Sequence, residues 1–272
     1  MKVDFIIVGA QKCGTTTLFD ILNTHPGLVG SQPKEPHFFT APAARRRPLE
    51  DYEGIFSPQA PGLKYFEAST SYTFYPMRGL HIWDAIHDYN PEMKLIYLVR
   101  NPIDRVVSGF VHVQQRSKVE RDFEETIRGG SGHLDITRYY TQIAPYVRKF
   151  GRDQVLILDF DDLVDDRAAL LQSVASFIGV DFDEFSDYGA VHSNAAGSSE
   201  ILLQRHSNPS LPYRAIRRYL PSLWRRITDN TERTSRPRPV PSEETREMIL
   251  NVLDADIRAL EELMGADLSK WR

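Results

Sequence analysis

The amino-acid sequence predicts a single α/β domain with a P-loop-like core: a central parallel sheet of about five strands, with helices on both faces. Short apolar runs of strand length alternate with longer stretches of helical pattern. The strand candidates are almost continuously apolar, as is typical of strands that are buried on both sides. The 272 residues are 41% hydrophobic and 26% charged, which are ordinary values for a globular chain and exclude wholesale disorder.

The predicted elements alternate along the chain. The strands, each rich in Ile, Val, Leu, Tyr and Phe, are residues 5–8, 63–67, 95–99 and 155–159. The helices are residues 15–23, 79–89, 102–114, 162–178 and 242–264. Asn101 followed by Pro102 is a typical helix start, and Gly265 is a typical helix end. Strands separated by helices imply crossover connections and therefore parallel pairing.

Residues 194–241 differ from the rest because they are rich in Arg, Pro and Ser. We interpret them as two short helices and a loop over the edge of the sheet, a helical lid or insertion within one domain spanning 1–272. The helical stretch 213–227 has apolar side chains on one face and arginines on the other. It could cover an acceptor cleft, bind an anionic acceptor or touch a membrane surface. A packed helix pair with a solvated basic face explains the pattern equally well.

Charge and cysteine content exclude several classes of function. Lys and Arg number 33 against 37 Asp and Glu, a net charge of −4, which disfavours a nucleic-acid partner. The single cysteine, Cys13, cannot form an internal disulfide or a cysteine-based zinc site, and we predict no metal site. No apolar run reaches the ~18 residues of a membrane span. The start of the chain resembles a strand and not a signal peptide, so we expect a cytoplasmic protein.

The segment 8–18 follows the first strand and opens a helix, where backbone N–H groups and the helix dipole attract an anion. Gly9 and Gly14 permit a tight turn, Lys12 adds a positive charge, and three threonines add hydroxyl donors. An ordinary strand-to-helix turn capped by threonine is the alternative. The pattern departs from G-x-x-x-x-G-K-[ST], because Thr15 stands where a nucleotide triphosphatase has lysine. An apolar run ending at Asp159 could still be the magnesium-supporting strand of a kinase, or simply a buried strand that ends in an acid.

Four segments resemble the sulfotransferases that use 3′-phosphoadenosine 5′-phosphosulfate (PAPS), in particular the heparan sulfate sulfotransferases and their bacterial relatives. The segments are Gln-Lys-Cys-Gly-Thr-Thr at 11–16, Lys-Glu-Pro-His-Phe-Phe at 34–39, residues 98–108 and residues 260–271. Their order and separations also match, so that the resemblance covers most of the chain outside 194–227.

The resemblance implies which residues bind the cofactor PAPS. The loop residues implied at the 5′-phosphosulfate are Lys12, Cys13, Gly14, Thr15, Thr16 and Thr17. Arg100 and Ser108 are implied at the 3′-phosphate, although a surface ion pair and a packed helix residue are the plainer alternatives. Arg236 corresponds best to a basic loop that closes over the cofactor in this family. We leave Arg105 out of the site, because it could pair with Asp104 or Glu92 and support its helix.

The resemblance also implies the catalytic residues. Glu35 is the expected general base on the acceptor hydroxyl, Lys12 stabilises the leaving phosphate, and His37 is a second candidate base or orients Glu35. Alternatively, Lys34 and Glu35 form a solvated ion pair beside two core phenylalanines. The family has a Glu-Lys pair where this chain has Glu67 followed by Ala68, so one cation is missing. Glu67 could orient the site or be structural.

The expected function is therefore the transfer of a sulfuryl group from PAPS to a hydroxyl or amine of an acceptor, by in-line displacement with no required metal. A P-loop nucleotide-dependent kinase and a non-catalytic nucleotide-binding module remain alternatives. The acceptor could be a glycan, a lipid or a small metabolite. Neither a nucleic-acid partner nor a membrane span is expected, while peripheral membrane contact and the oligomeric state stay open.

Overall fold

A five-stranded parallel sheet forms the centre of the protein, in the order β2-β3-β1-β4-β5. The structure is a computed structural model that describes residues 1–79, 81–117, 121–130, 132–186, 188–189, 191, 200–204 and 233–272. The strands of the sheet are β1 (Phe5–Gly9), β2 (Leu28–Gly30), β3 (Lys64–Glu67), β4 (Lys94–Val99) and β5 (Val155–Asp159). The predicted α/β class, the parallel pairing and the number of strands are confirmed.

Helices of varied length connect and cover these strands. They are α1 (Thr15–Leu22), α2 (Leu49–Glu53), α3 (Ile82–Tyr89), α4 (Pro102–Arg116), α5 (Phe123–Arg128), α6 (Gly132–Asp135), α7 (Tyr139–Phe150), α8 (Phe160–Asp165), α9 (Arg167–Ile178) and α10 (Glu243–Met264). The predicted caps are confirmed: the Asn101 side chain accepts from the first N–H groups of α4, and α10 ends at Gly265 in the left-handed conformation. Within the described part of the chain, no helix is both long enough and apolar enough to cross a membrane.

Burial and register explain how the sheet positions a site. Every residue of β1 is buried, and because successive side chains of a strand point to opposite faces, both faces of the sheet are covered. In β4, every residue except Lys94 is buried. Val99, the last residue of β4, pairs with Asp159, the last residue of β5. The carboxyl ends of the central strands therefore share one edge, where open α/β sheets bind ligands.

The structure departs from the predicted elements in several places. Four helices, α2, α5, α6 and α7, were not predicted. Residues 28–30 form an additional strand, β2, which is too short to show a period. The predicted helix 162–178 is two helices, because Asp166 leaves the helical conformation and its carboxylate accepts the Ala169 N–H at the start of α9. The helix predicted from residue 79 begins only at Ile82.

The Arg- and Pro-rich segment is only partly described. Its described parts contain two strands, β6 (Glu200–Gln204) and β7 (Arg233–Pro237), which pair antiparallel. The predicted helical stretch 213–227 lies outside the described residues. The lid at 194–241 therefore stays a prediction.

Candidate functional site

The loop between β1 and α1 has the geometry of an anion-binding turn. The Ala10 N–H donates to the Leu98 carbonyl of β4 at 2.8 Å, so the loop starts against the neighbouring strand. Lys12 and Gly14 have left-handed backbones, with φ of 70° and 87°. A Cβ on Gly14 would lie 2.7 Å from the Phe160 ring, which leaves no room for a larger residue. The first N–H groups of α1, which have no acceptor within the helix, thus lie at the carboxyl end of β1.

Arg105 supports this loop from within the core. It is fully buried; its Nε donates to the Gln11 carbonyl at 3.2 Å, and its Nη1 donates to the His133 carbonyl at 2.7 Å. Burial lowers the pKa of the guanidinium. The expected pairing of Arg105 with Asp104 or Glu92 is wrong, because the side chain points into the protein. One sequence signal could have found it: Arg105 lies beside Val106 and Val107 in the apolar pattern of α4.

Arg100 follows β4 directly and is almost buried. Its Nη2 is 3.4 Å from Asp104 Oδ2, and its guanidinium carbon is 4.5 Å from the centroid of the Phe160 ring. The buried Nε has no hydrogen-bond acceptor among the residues that the structure describes. The Tyr139 hydroxyl donates to the Arg100 carbonyl at 2.9 Å and so fixes the backbone. The Arg100 guanidinium is thus held in place with one N–H still able to donate. It lies at the end of β4, the strand beside the loop between β1 and α1 (residues 10–14, the phosphate loop).

Two further residues were predicted to bind the same phosphate as Arg100. Ser108 is buried on α4, two turns after Arg100. Arg236 lies on β7 opposite Ile201, and its side chain is outside what can be described. Arg238, in the same basic run, was not predicted as a site residue; burial and the charge of Arg100 lower its pKa, and the charge of Asp104 opposes them.

Glu35 lies in a chain of polar contacts on the segment before the buried Phe38 and Phe39. Its Oε1 is 3.3 Å from Lys34 Nζ, and its Oε2 is 3.4 Å from His37 Nε2. Burial lowers the pKa of the Lys34 ammonium, so the ion pair is not the fully solvated one considered above. The His37 backbone is left-handed, with φ of 53°, and its Nδ1 is 2.7 Å from Ser71 Oγ. Lys34, Glu35 and His37 thus form one partly exposed group.

Glu67, at the end of β3, is fully buried. It accepts hydrogen bonds from the hydroxyls of Tyr52 and Tyr72, each at 2.8 Å, and of Ser69 at 2.5 Å. Burial raises the pKa of this carboxyl to about 7, against the opposing effect of these hydrogen bonds.

Asp159 and the thiol of Cys13 are held by contacts within the protein. The Asp159 carboxylate accepts the Asp161 N–H at 3.1 Å and forms an ion pair with Lys270 at 2.9 Å, which agrees with the plainer of its two interpretations. Burial raises the pKa of the Cys13 thiol to about 11, so the thiol is neutral at physiological pH. Among the described residues, no cluster of three or more His, Cys, Asp or Glu is arranged to hold a metal ion.

Comparison with known proteins gives a consistent result. The family model described as "sulfotransferase domain" matches residues 2–197. Carbohydrate sulfotransferase 15 of Mus musculus is 30% identical over 164 residues, 45% of this chain and 29% of its own length. Heparan sulfate glucosamine 3-O-sulfotransferase 6 of Mus musculus is 30% identical over 185 residues, 64% of this chain and 52% of its own length. The chain therefore spans from under a third to about half of these curated relatives.

Solved structures share the fold over nearly the whole chain. The sulfotransferase of Alicyclobacillus acidocaldarius superposes with a TM-score of 0.71 at 24% identity, covering 100% of this chain and 99% of that one. The sulfotransferase domain of the Synechococcus PCC 7002 olefin synthase has a TM-score of 0.57 at 19% identity, with 98% and 96% covered.

Proposed function

The chain belongs to the sulfotransferase domain family, and we propose that it transfers a sulfuryl group from PAPS to a hydroxyl or amine of an acceptor. One observation carries the proposal: the loop that opens α1 and the almost buried Arg100 occupy the carboxyl ends of the adjacent strands β1 and β4. A helix N-terminus and a buried guanidinium suit the two separate phosphate groups of such a nucleotide.

The loop would hold the 5′-phosphosulfate. Its proposed ligands are Lys12, Cys13, Gly14, Thr15, Thr16 and Thr17, through backbone N–H groups, hydroxyls and one ammonium. PAPS, when bound there, supplies an activated sulfuryl group on a phosphate leaving group. The oxygen that bridges sulfur and phosphorus gains negative charge as its bond to sulfur breaks. Lys12 stabilises this charge.

Arg100 and Ser108 would bind the 3′-phosphate, together with Arg236 or its neighbour Arg238. The buried Nε of Arg100, without an acceptor among the described residues, supports this assignment because such a donor is costly unless a ligand accepts from it.

Glu35 would act as the general base. As the acceptor oxygen bonds to sulfur, the Glu35 carboxylate takes the proton, and the electron pair of the broken S–O bond goes to the leaving phosphate beside Lys12. Partial exposure of Glu35 supports this role, because an acceptor can reach it. His37, within 3.4 Å of the same carboxylate, orients Glu35 or replaces it as base.

The acceptor is proposed by class. A carbohydrate hydroxyl is the first to test, since the relatives are named for carbohydrate and heparan sulfate acceptors; lipids and small metabolites come next. The cytoplasmic location stays a prediction from the sequence.

Calorimetric titration with adenosine 3′,5′-bisphosphate (PAP), the product of transfer, tests the cofactor assignment. We expect PAP to bind more tightly than ATP with Mg²⁺, and Arg100→Ala to remove this preference. Arg258→Ala, which changes an exposed arginine on α10, is the matched control and should bind PAP as the unaltered protein does. Preference for ATP with Mg²⁺ would instead indicate a kinase, and binding of neither nucleotide would contradict the proposed function.

A further inference from the structure

A buried hydrogen-bond network links the end of β3 to the backbone that follows Glu35. Its centre is the carboxylate of Glu67. Glu67 Oε2 accepts from the Ser69 hydroxyl, and Oε1 accepts from the hydroxyls of Tyr72 and Tyr52. All four residues are buried, so the network is shielded from competing water.

Two of the three hydroxyls also accept a hydrogen bond from a backbone N–H in the segment after Glu35. The His37 N–H donates to Ser69 Oγ at 3.1 Å, and the Phe39 N–H donates to the Tyr72 hydroxyl oxygen at 3.4 Å. The Tyr52 hydroxyl shows no comparable bond among the described residues. Ser69 and Tyr72 therefore bridge Glu67 to this backbone, whereas Tyr52 binds the same carboxylate without bridging.

When Glu67 is ionised, it sets the direction of both bridges. A carboxylate can only accept, so each hydroxyl must turn its proton towards Glu67 and present its lone pairs to the backbone N–H. The backbone held in this way is unfavourable, because His37 has a Cβ and a φ of 53°. The same turn brings His37 Nε2 to within 3.4 Å of Glu35 Oε2.

We propose that Glu67 is a positioning residue: through Ser69 and Tyr72 it fixes the backbone at His37 and Phe39, and with it the Glu35–His37 pair. Glu67 is fully buried and does not touch the reacting atoms. This inference rests on the proposed role of Glu35 as the base. The sequence alone does not decide whether Glu67 orients the site or supports the structure. The proposed role is the first of these.

Residue-resolved amide hydrogen exchange tests the anchoring directly, without any substrate. Ser69→Ala removes the bridge to His37, and Tyr72→Phe removes the bridge to Phe39. We expect the exchange of the His37 and Phe39 amides, respectively, to accelerate about tenfold or more. Glu67→Gln should accelerate both, because its amide adds a donor that competes for the hydroxyls. Tyr52→Phe is the matched control: it removes a hydroxyl from the same carboxylate oxygen at the same 2.8 Å, and should leave both amides unchanged.

Steady-state release of PAP from PAPS, with a heparan sulfate oligosaccharide or water as acceptor, tests the consequence for the reaction. We expect kcat to fall about tenfold in Ser69→Ala and Tyr72→Phe with the KM for PAPS unchanged, because a misplaced base slows the reaction without weakening cofactor binding. Tyr52→Phe should keep the original kcat.

Three results would overturn the inference. The first is unchanged amide exchange in both Ser69→Ala and Tyr72→Phe, and the second is faster exchange in these variants with unchanged kcat. The third is a fall of kcat in Tyr52→Phe as large as that in the two bridge variants. Failure of the proposed function is recognised separately. In that case the unaltered protein neither binds PAP nor turns over PAPS, whatever the exchange measurements show.

Discussion

Lys12 and Glu35 are partly buried side chains of opposite charge on different loops, and the proposed mechanism separates their duties. Lys12→Ala removes a cation that acts on both the bound phosphate and the transition state. We expect turnover of PAPS to fall roughly 10²–10³-fold and PAP binding to weaken. Glu35→Gln removes only the proton acceptor, so turnover should fall about 10²–10⁴-fold with PAP affinity nearly intact.

Turnover assays combined with calorimetry of PAP measure both quantities. Glu92→Gln, at an exposed glutamate in the turn before β4, is the control for Glu35→Gln and should change neither. Full activity of Glu35→Gln would contradict the assignment of the base and transfer that role to His37.

The buried Glu67 carboxyl makes stability depend on pH. Its pKa, raised by burial to about 7, exceeds the ordinary 4.5, so between these values the folded chain binds more protons than the unfolded chain. The stabilising contribution is complete below about pH 4.5 and is lost as the pH rises through about 7. Between pH 5 and pH 7.5, we expect the titration of Glu67 alone to lower the free energy of unfolding by roughly 2–3 kcal/mol.

Urea denaturation at pH 5 and pH 7.5 measures this effect as a difference between the protein and Glu67→Gln. The comparison is necessary because His133, whose pKa burial lowers to about 4, contributes the opposite slope. An equal change in stability between the two pH values for both proteins would show that Glu67 does not titrate in this range.

At the scale of the element, α4 and the phosphate loop are held together by one side chain. Arg105→Met keeps much of the volume but removes the guanidinium donor from the Gln11 carbonyl, whereas the His133 carbonyl still accepts from the Thr137 hydroxyl. We expect a loss of about 1–3 kcal/mol in stability, the usual cost of one unsatisfied buried group. PAP binding should weaken too, because the loop loses its support.

Chemical denaturation and PAP calorimetry measure these two effects of Arg105→Met. Arg258→Met on the exposed face of α10 is the matched control and should alter neither. Stability of Arg105→Met equal to that of the control would show that the other contacts of the loop, such as the Ala10 N–H bond to the Leu98 carbonyl, are sufficient to hold it.

The elements also show where sequence information is sufficient. Long apolar runs identified β1, β3, β4 and β5, while the three residues of β2 are too few for any pattern. The break at Asp166 lacked a Gly or Pro to mark it. The placement of Lys12 and Arg100 at the same end of the sheet could be predicted, because the parallel strands β1 and β4 align their ends. The partners of Arg105, Gln11 and His133, lie in segments distant in sequence, so no local pattern identifies them, although the apolar neighbours of Arg105 indicate its burial.

At the scale of the whole molecule, the proposed nucleotide site joins distant parts of the chain. The ligands proposed for the 5′-phosphosulfate lie in residues 12–17, near the start of the chain. Arg100 and Ser108 lie in the middle, and Arg236 and Arg238 lie in the run before α10. A ligand that binds all of them only in the folded state stabilises the entire domain. The 3′-phosphate and the 5′-phosphate of the nucleotide should therefore each raise the Tm of the protein.

Thermal unfolding with PAP tests this coupling. At a hundredfold excess over Kd, binding adds about 2.7 kcal/mol, which raises the Tm of a domain of this size by roughly 5–10 °C. Adenosine 5′-monophosphate at the same concentration should raise it far less, because it cannot engage Arg100 and Ser108 with a 3′-phosphate. Arg100→Ala should make the two nucleotides equivalent, whereas Arg258→Ala should preserve the difference between them. Equal stabilisation of the unaltered protein by both nucleotides would remove the 3′-phosphate from the proposed site and leave only the loop at β1.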